Sequence, residues 1–378
     1  MYRRPGGPSG RRVSGLKRLG LAVTATALLA LTLAPPVGAI TPAHTVVAGG
    51  LHNPRGLTFG PDGRLYIAEA GTGGVIGYGF DGAIHEIRNP GAATPVMTTV
   101  VSGLLSMGGF GNGDVGGVDG ISAHGNGGLF AIMGSSTDAS GLAGAGQLLK
   151  VNPGGHVKTV ANVGSVGYAF TGSHPQLDPG GQFPDANPYG VLALPGRQYV
   201  VDAGANTLDE ILANGTVHTL AYIPKGDIAS DGVPTCVTQG PDGALYIGTL
   251  YFGDLFASHV PSAKVFRIDP NTLSSLTVKL LGPSDVWASG LWPINGCAFG
   301  PNGALYDSEL VTGVDSSGNP TGGDVIKIPF ADPTSHISLT GGNLTIAGGV
   351  AVAPNGTVYA VGGSAFLPTG FVARLASR

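Results

Sequence analysis

The stretch Gly240-Pro-Asp-Gly-Ala-Leu-Tyr-Ile-Gly248 decides how this chain is read. Pro241-Asp242-Gly243 is a turn signal: proline presets one backbone angle, and glycine accepts the positive φ of a tight turn. Leu245-Tyr246-Ile247 is a short apolar run around an aromatic, the composition of a strand. The unit returns as Phe59–Ile67, Phe299–Asp307 and Val352–Ala360, with degenerate copies at His124–Ile132 and Leu192–Val200. In every copy an aromatic stands three residues after a glycine: Tyr66, Phe130, Tyr199, Tyr246, Tyr306 and Tyr359. One strand–turn–strand unit cannot bury both of its faces, so the six copies must stack on one another.

Successive aromatics lie 47 to 69 residues apart, room for a four-stranded blade with loops. In the first repeat the strands read Leu57–Phe59, Leu65–Ala68, Gly74–Gly79 and Ala83–Arg88, with a turn at Phe80-Asp81-Gly82. Similar turns follow at Asn152-Pro153-Gly154, Ala213-Asn214-Gly215 and Asp269-Pro270-Asn271. The last repeat shows only three strands, Gly349–Ala353, Val358–Val361 and Phe371–Leu375, while His44–Ala48 is spare. Pairing the spare strand into the last blade leaves no open ring edge. The expected fold is all-β, a six-bladed β-propeller closed by an N-terminal strand joining the last blade.

Composition agrees. The chain has 67 glycines in 378 residues, well over twice the usual ~7%, and only 11% of its residues are charged. The first 39 residues hold six basic residues and no acid, then an apolar run from Leu19 to Ala34 and the small residues Val37-Gly38-Ala39. That pattern predicts an export signal over 1–39, a single propeller domain over 40–378, and a secreted product that meets a membrane only during export. Arg11-Arg12 raises twin-arginine export beside the ordinary route. Without the signal, 13 basic residues stand against 23 acidic ones, a formal charge of −10, which excludes general nucleic-acid binding.

Every long insertion falls on one face, at b–c loops or blade-to-blade links; the other face keeps short turns. Functional residues concentrate on such loops. Tyr168, His174, Tyr251 and Trp292 lie in them and are candidate ligand contacts or loop-packing residues. The longest insertion, Ser165–Pro184, reads as a binding loop dispensable for folding. Alignment on the aromatic gives a second set: Arg55, Asp119, Tyr189, Thr235, Asn295 and Gly348 open the innermost strands, five of them before a glycine. These should ring the axial opening on the elaborated face, either as ligand contacts or as groups bonded to neighbouring backbone with water filling the mouth, and Arg55 and Asp119 either meet solvent there or form a buried ion pair. A third set, Glu69, Asp202 and Glu309, ends the second strands of alternate repeats, too far apart for one metal and suited to accepting backbone N–H bonds across blade junctions. No histidine pair has metal-ligand spacing, and no nucleophile elbow or phosphate loop is present.

The run Tyr199–Asn206 followed by Thr207–Ile211 resembles the NHL propeller repeat. Asn53–Leu57 with Phe59–Gly63, Asn187–Gly190, Val201–Asn206, Val233–Thr235 leading into Gly240–Tyr246, and Ala263–Pro270 resemble, in that order, the ScyD/ScyE family of exported bacterial proteins. The resemblance covers the mature chain and implies the propeller fold and export more firmly than an activity.

Two function classes follow. One is a non-catalytic, monomeric secreted propeller binding a partner protein, glycan or small ligand around the axial opening, with no cofactor. The alternative is a hydrolase or lactonase of the gluconolactonase kind, or a sugar oxidoreductase; the lactonase would need a divalent cation held by carboxylates and amides near the axis. The two cysteines, Cys236 and Cys297, lie on neighbouring innermost strands, open either to a disulfide or to two buried thiols.

Overall fold

The computed structural model describes residues 44–376 apart from 109–113, 126–127, 179, 227–229 and 318. The expected export signal lies outside the described residues. Six antiparallel sheets follow one another in chain order, each running from an innermost strand outward. The innermost strands are Pro54–Phe59, Val118–His124, Pro188–Leu194, Pro234–Gln239, Ile294–Phe299 and Val350–Val352. His44–Leu51 pairs antiparallel with the C-terminal strand Gly370–Leu375, so the last blade is completed from the other end of the chain. The six-bladed propeller is the fold.

The repeated motif explains itself in atoms. Gly243 has φ +79° and its N–H bonds Gly240 O at 3.0 Å, closing the turn. The Tyr246 hydroxyl donates to Asp242 Oδ2 at 3.2 Å, and Tyr66 does the same to Asp62 at 3.3 Å. A Cβ on Gly240 would stand 2.3 Å from the Tyr246 ring, so the first glycine of the motif is the seat of its own aromatic. The aromatics then face outward into the blade junctions. One apolar cluster fills each junction, from Tyr66 with Leu129 between blades 1 and 2 to Tyr359 with Leu57 between blades 6 and 1.

Three strand readings need correction. In blade 1 the third strand is one long element, Tyr78–Arg88, and the fourth is Val96–Met107. Phe80-Asp81-Gly82 is an irregular stretch inside the third strand, between register shifts, and not a turn. In blade 4 the chain leaving Asp269 makes a 3-10 turn at Pro270–Thr272, and Lys279–Leu280 then pairs parallel with Val217–Tyr222 of blade 3 before Val286–Leu291 completes its own blade. Leu281 is buried in the junction of blades 3 and 4, and this apolar anchor draws the excursion sideways. As a third-to-fourth strand connection, 269–285 is a long insertion on the face expected to keep only short turns, which corrects that expectation.

The insertions are ordered where described. Three short helices occupy them: α1, Thr137–Ser140; α2, Val163–Ser173; and α3, Phe252–Ser258. The small hairpin Gly313–Val314 with Pro320–Thr321 occupies a fourth.

Candidate functional site

The six innermost strands meet around the axis, where the backbone itself sets the spacing. A Cβ on Gly120 would stand 2.3 Å from Tyr189 O, one on Gly190 2.6 Å from Thr235 O, and one on Gly349 2.6 Å from Arg55 O. Only glycine lets neighbouring strands approach that closely. This is why the ring residues precede glycines. The exception, Cys236, is bonded to Cys297 with Cα atoms 5.7 Å apart, so a disulfide joins blades 4 and 5 beside the axis.

Arg55, Asp119, Tyr189, Thr235 and Asn295 all line one axial cavity of about 60 Å³. Gly348 does not; Gly349 and Val350 take the place of blade 6. Of the two alternatives for Arg55 and Asp119 the structure takes the buried one: they are 5% and 3% exposed. The Arg55 guanidinium donates to Asp114 Oδ1 at 2.5 Å and to Val115 O at 2.6 Å. Its Nε lies 3.8 Å from Asp119 Oδ1, beyond hydrogen-bond reach, and neither atom has a hydrogen-bond partner in the protein. Burial pushes the Asp119 carboxyl up to about 7, against the pull of Arg55 and with help from Asp114. Across the ring Tyr189 donates to Asn295 Oδ1 at 2.9 Å, and Asn295 Nδ2 donates to Ala347 O. Burial raises the Tyr189 phenol to about 12, so it stays a neutral hydroxyl. Thr235 Oγ1 donates to Ile294 O at 2.5 Å.

Asp114 is the residue sequence reading passed over. It sits in the link between blades 1 and 2 and has no repeat equivalent to reveal it. The signal that remained was an acid five residues before a ring position, opposite the ring's lone arginine.

The loop candidates lie elsewhere, and none lines the axial cavity. Tyr251, expected on a binding loop, is 1% exposed, and its hydroxyl donates to Pro224 O at 2.9 Å. Trp292 packs with Leu255, Leu310 and Val311 in a satellite core, and its backbone N–H donates to Glu309 Oε1. Tyr168 is half-buried on α2. His174 closes that helix, stacked on Phe170 at 4.3 Å with Nδ1 on the Phe170 carbonyl at 2.8 Å. Ser165–Pro184 is not a free loop, because α2 buries Gly167 and Thr171 against blade 3.

The strand-end carboxylates accept backbone N–H bonds as expected, but within their own blades and not across blade junctions. Glu69 accepts from His52 N, Asp202 from Asn187 N, Gly204 N and Ala205 N, and Glu309 from Trp292 N. His52, Asn187 and Trp292 each stand on the chain about to enter that blade's innermost strand, so the acid fixes where the strand begins; Gly204 and Ala205 belong instead to the turn that follows Asp202.

The cation required by the lactonase alternative does not fit the mouth. The Arg55 guanidinium lies between the carboxylates of Asp114 and Asp119, where it would repel a second cation. Among the described residues no group of three or more His, Cys, Asp or Glu is placed to hold a metal ion.

No family model matches the chain, and no curated protein matches it. Solved structures do resemble it in fold. A calcium-binding protein, regucalcin, from Agrobacterium tumefaciens is 12% identical at a TM-score of 0.49, over 89% of this chain and 96% of that one. A putative oxidoreductase (glucose dehydrogenase) from Thermus thermophilus is 16% identical at 0.48, over 89% and 100%. Virginiamycin B lyase from Staphylococcus aureus is 13% identical at 0.45, over 82% and 77%.

Proposed function

We propose that this chain is an exported propeller that takes a small polar ligand at the axial mouth of its long-loop face. The observation that carries the reading is the pair Arg55 Nε and Asp119 Oδ1, buried, 3.8 Å apart and unbonded within the protein. Buried polar atoms of this kind are costly unless something meets them. One oxygen ~2.8 Å from each would satisfy both, accepting from the guanidinium and donating to the carboxylate. That is the chemistry of a hydroxyl group. About 60 Å³ admits a small polar group of the ligand and not a whole sugar ring, so the rest of a sugar or hydroxy acid would lie in the opening. Export, and membership of the ScyD/ScyE family, belong to the same proposal. The basic–apolar–small N-terminal pattern and the order of the motifs support them.

A second reading, hydrolysis of a lactone or ester, is favoured by Asp119 alone. A carboxyl raised to about 7 can accept a proton near neutral pH. The test is isothermal titration of the protein from residue 40 onward with hydroxy acids, sugars and aldonolactones. Saturable binding is expected, weakened roughly tenfold or more in Asp119→Asn and in Arg55→Lys. Equal binding by wild type and both variants overturns the axial site. Proton release from a lactone, seen in wild type and lost in Asp119→Asn, would establish the second reading over the first.

A further inference from the structure

The short-turn face carries a second niche that the axial reading leaves untouched. At the junction of blades 2 and 3 a cavity of about 340 Å³ is lined by His124, Lys150, Lys158, Gln198 and Asn214, with Phe130 in its wall. Its floor is set by Gly215, where a Cβ would stand 2.5 Å from Val160 O. The preceding junction holds the equivalent niche of about 190 Å³, with Tyr66 for Phe130, Glu86 for Lys150 and Asn152 in the next blade's turn. There the charges cancel: Arg64 donates to Glu86 at 2.7 Å, Arg88 to its other oxygen at 2.8 Å.

The residue paired with each repeat aromatic makes the contrast sharper. Glu86, Glu210 and Arg267 occupy this register with partners of opposite charge, Arg64, Arg197 and Asp242, while blades 5 and 6 place Lys327 and Arg374 there, Lys327 with the uncharged Ile337 opposite. In blade 2 the position is Lys150, and the residue directly opposite on the next strand is Lys158. Like charges facing each other across a strand pair are destabilising. Lys150 Nζ leans 5.7 Å over the Phe130 ring, and no carboxylate of the described residues lines the niche or pairs with either lysine. A domain of formal charge −10 thus concentrates uncompensated positive charge in one concave place.

We infer that this niche is an anion site, taking a phosphate or sulfate group between Lys150 and Lys158. Gln198, Asn214 and Thr159 supply amide and hydroxyl contacts for whatever carries that group. The test is thermal unfolding with inorganic phosphate, sulfate and a hexose 6-phosphate, each against chloride of equal ionic strength. Both inorganic anions should raise the melting temperature saturably in wild type and fail to do so in Lys150→Gln/Lys158→Gln. Tighter binding of the hexose 6-phosphate makes an esterified group the source; equal binding makes it the free ion. Lys158→Glu supplies a check that survives any folding defect in the double variant. It sets an opposite charge directly across from Lys150, so it should raise the melting temperature without anion and abolish the anion's effect. No response beyond chloride, or the same response in the variants, overturns the site.

Discussion

The long loops carry most of the free-standing aromatics, while the axial ring carries hydrogen-bonding groups, and the two meet burial differently. Tyr251, Trp292 and Phe252 gain by leaving water, and their loops fold down until they do. Arg55 and Asp119 are held by strands that cannot move closer, because glycine backbones already touch around them. Tyr251, Trp292 and Phe252 therefore end packed, and the ring ends with two unsatisfied atoms. Asp202 Oδ2, Ser230 Oγ and both Asp307 carboxylate oxygens are also buried without a partner, but only the ring sets an unbonded donor beside an unbonded acceptor at a cavity, among the described residues.

The largest expected effect comes from removing 165–184. Thr171 is fully buried, its hydroxyl donates to Asp185 O at 2.8 Å, and Tyr222 donates to Leu177 O at 2.7 Å. Deletion strips the cover from blade 3 and exposes Asp202, so cooperative thermal unfolding should be lost. A deletion variant that still melts in one sharp transition would show the loop to be independent of the blade.

Next comes Arg55→Ala, which leaves Asp114 and Asp119 facing each other without their cation. Breaking a buried pair in this way costs about 3–5 kcal/mol. Tyr251→Ala should cost about 3 kcal/mol, the range for emptying a fully buried aromatic site. Chemical denaturation of both variants measures the comparison directly. A loss below about 1 kcal/mol for Tyr251→Ala would mean that its loop is not packed as described.

How much of this was legible in sequence follows the same division. The GPDG-aromatic unit is local chemistry, a turn acid bonded to a tyrosine four residues later, so it repeats visibly and gives the blade count. The ring was legible because repeats can be aligned. Its burial was not, because the depth of Arg55 depends on Asp114, a residue of an unrepeated link. The blade 1 strands were misread because Gly74–Gly79 and Ala83–Arg88 look like two strands when a single irregular one bends through Asp81-Gly82. The packing of Tyr251 depends on Pro224, 27 residues away, which no local pattern announces.

The dependence on pH is a smaller effect, and it weighs the ring against the rest. Burial raises Asp119 to about 7, Asp202 to about 8, Glu309 to about 7, and Asp307 well above the usual range. In the unfolded chain these groups titrate near 4. Between these limits the native state holds the extra protons, so stability falls as pH rises. The stability present below about pH 4 is lost through the window from there to about 8. Glu69 and Glu86, held below their ordinary range, act oppositely at the acid end. The melting temperature should be higher at pH 5 than at pH 8.5, and Asp119→Asn should flatten part of that slope. A melting temperature that rises across this interval would contradict the raised carboxyls.

The smallest effect is expected at the loop aromatics that did not pack. Phe256 and Phe366 are each 42% exposed, although Phe256 meets Phe252 edge-on at 4.8 Å. Phe366 has φ +61°, a conformation that disfavours a bulky side chain and suits glycine. In Phe366→Gly the relief of backbone strain opposes the modest burial lost and the added freedom of the unfolded chain. These terms are similar in size, so stability should change by less than about 0.5 kcal/mol, and Phe256→Ser should lie in the same range. Denaturant midpoints measure that part. Affinity for the axial ligand measures the other part, because these two rings are exposed loop aromatics on the elaborated face. If both variants bind as wild type does, recognition is confined to the ring and the loops serve the fold. If either weakens binding as much as Asp119→Asn, the loops belong to the site, and the division between packed aromatics and an unsatisfied ring fails where it matters for function.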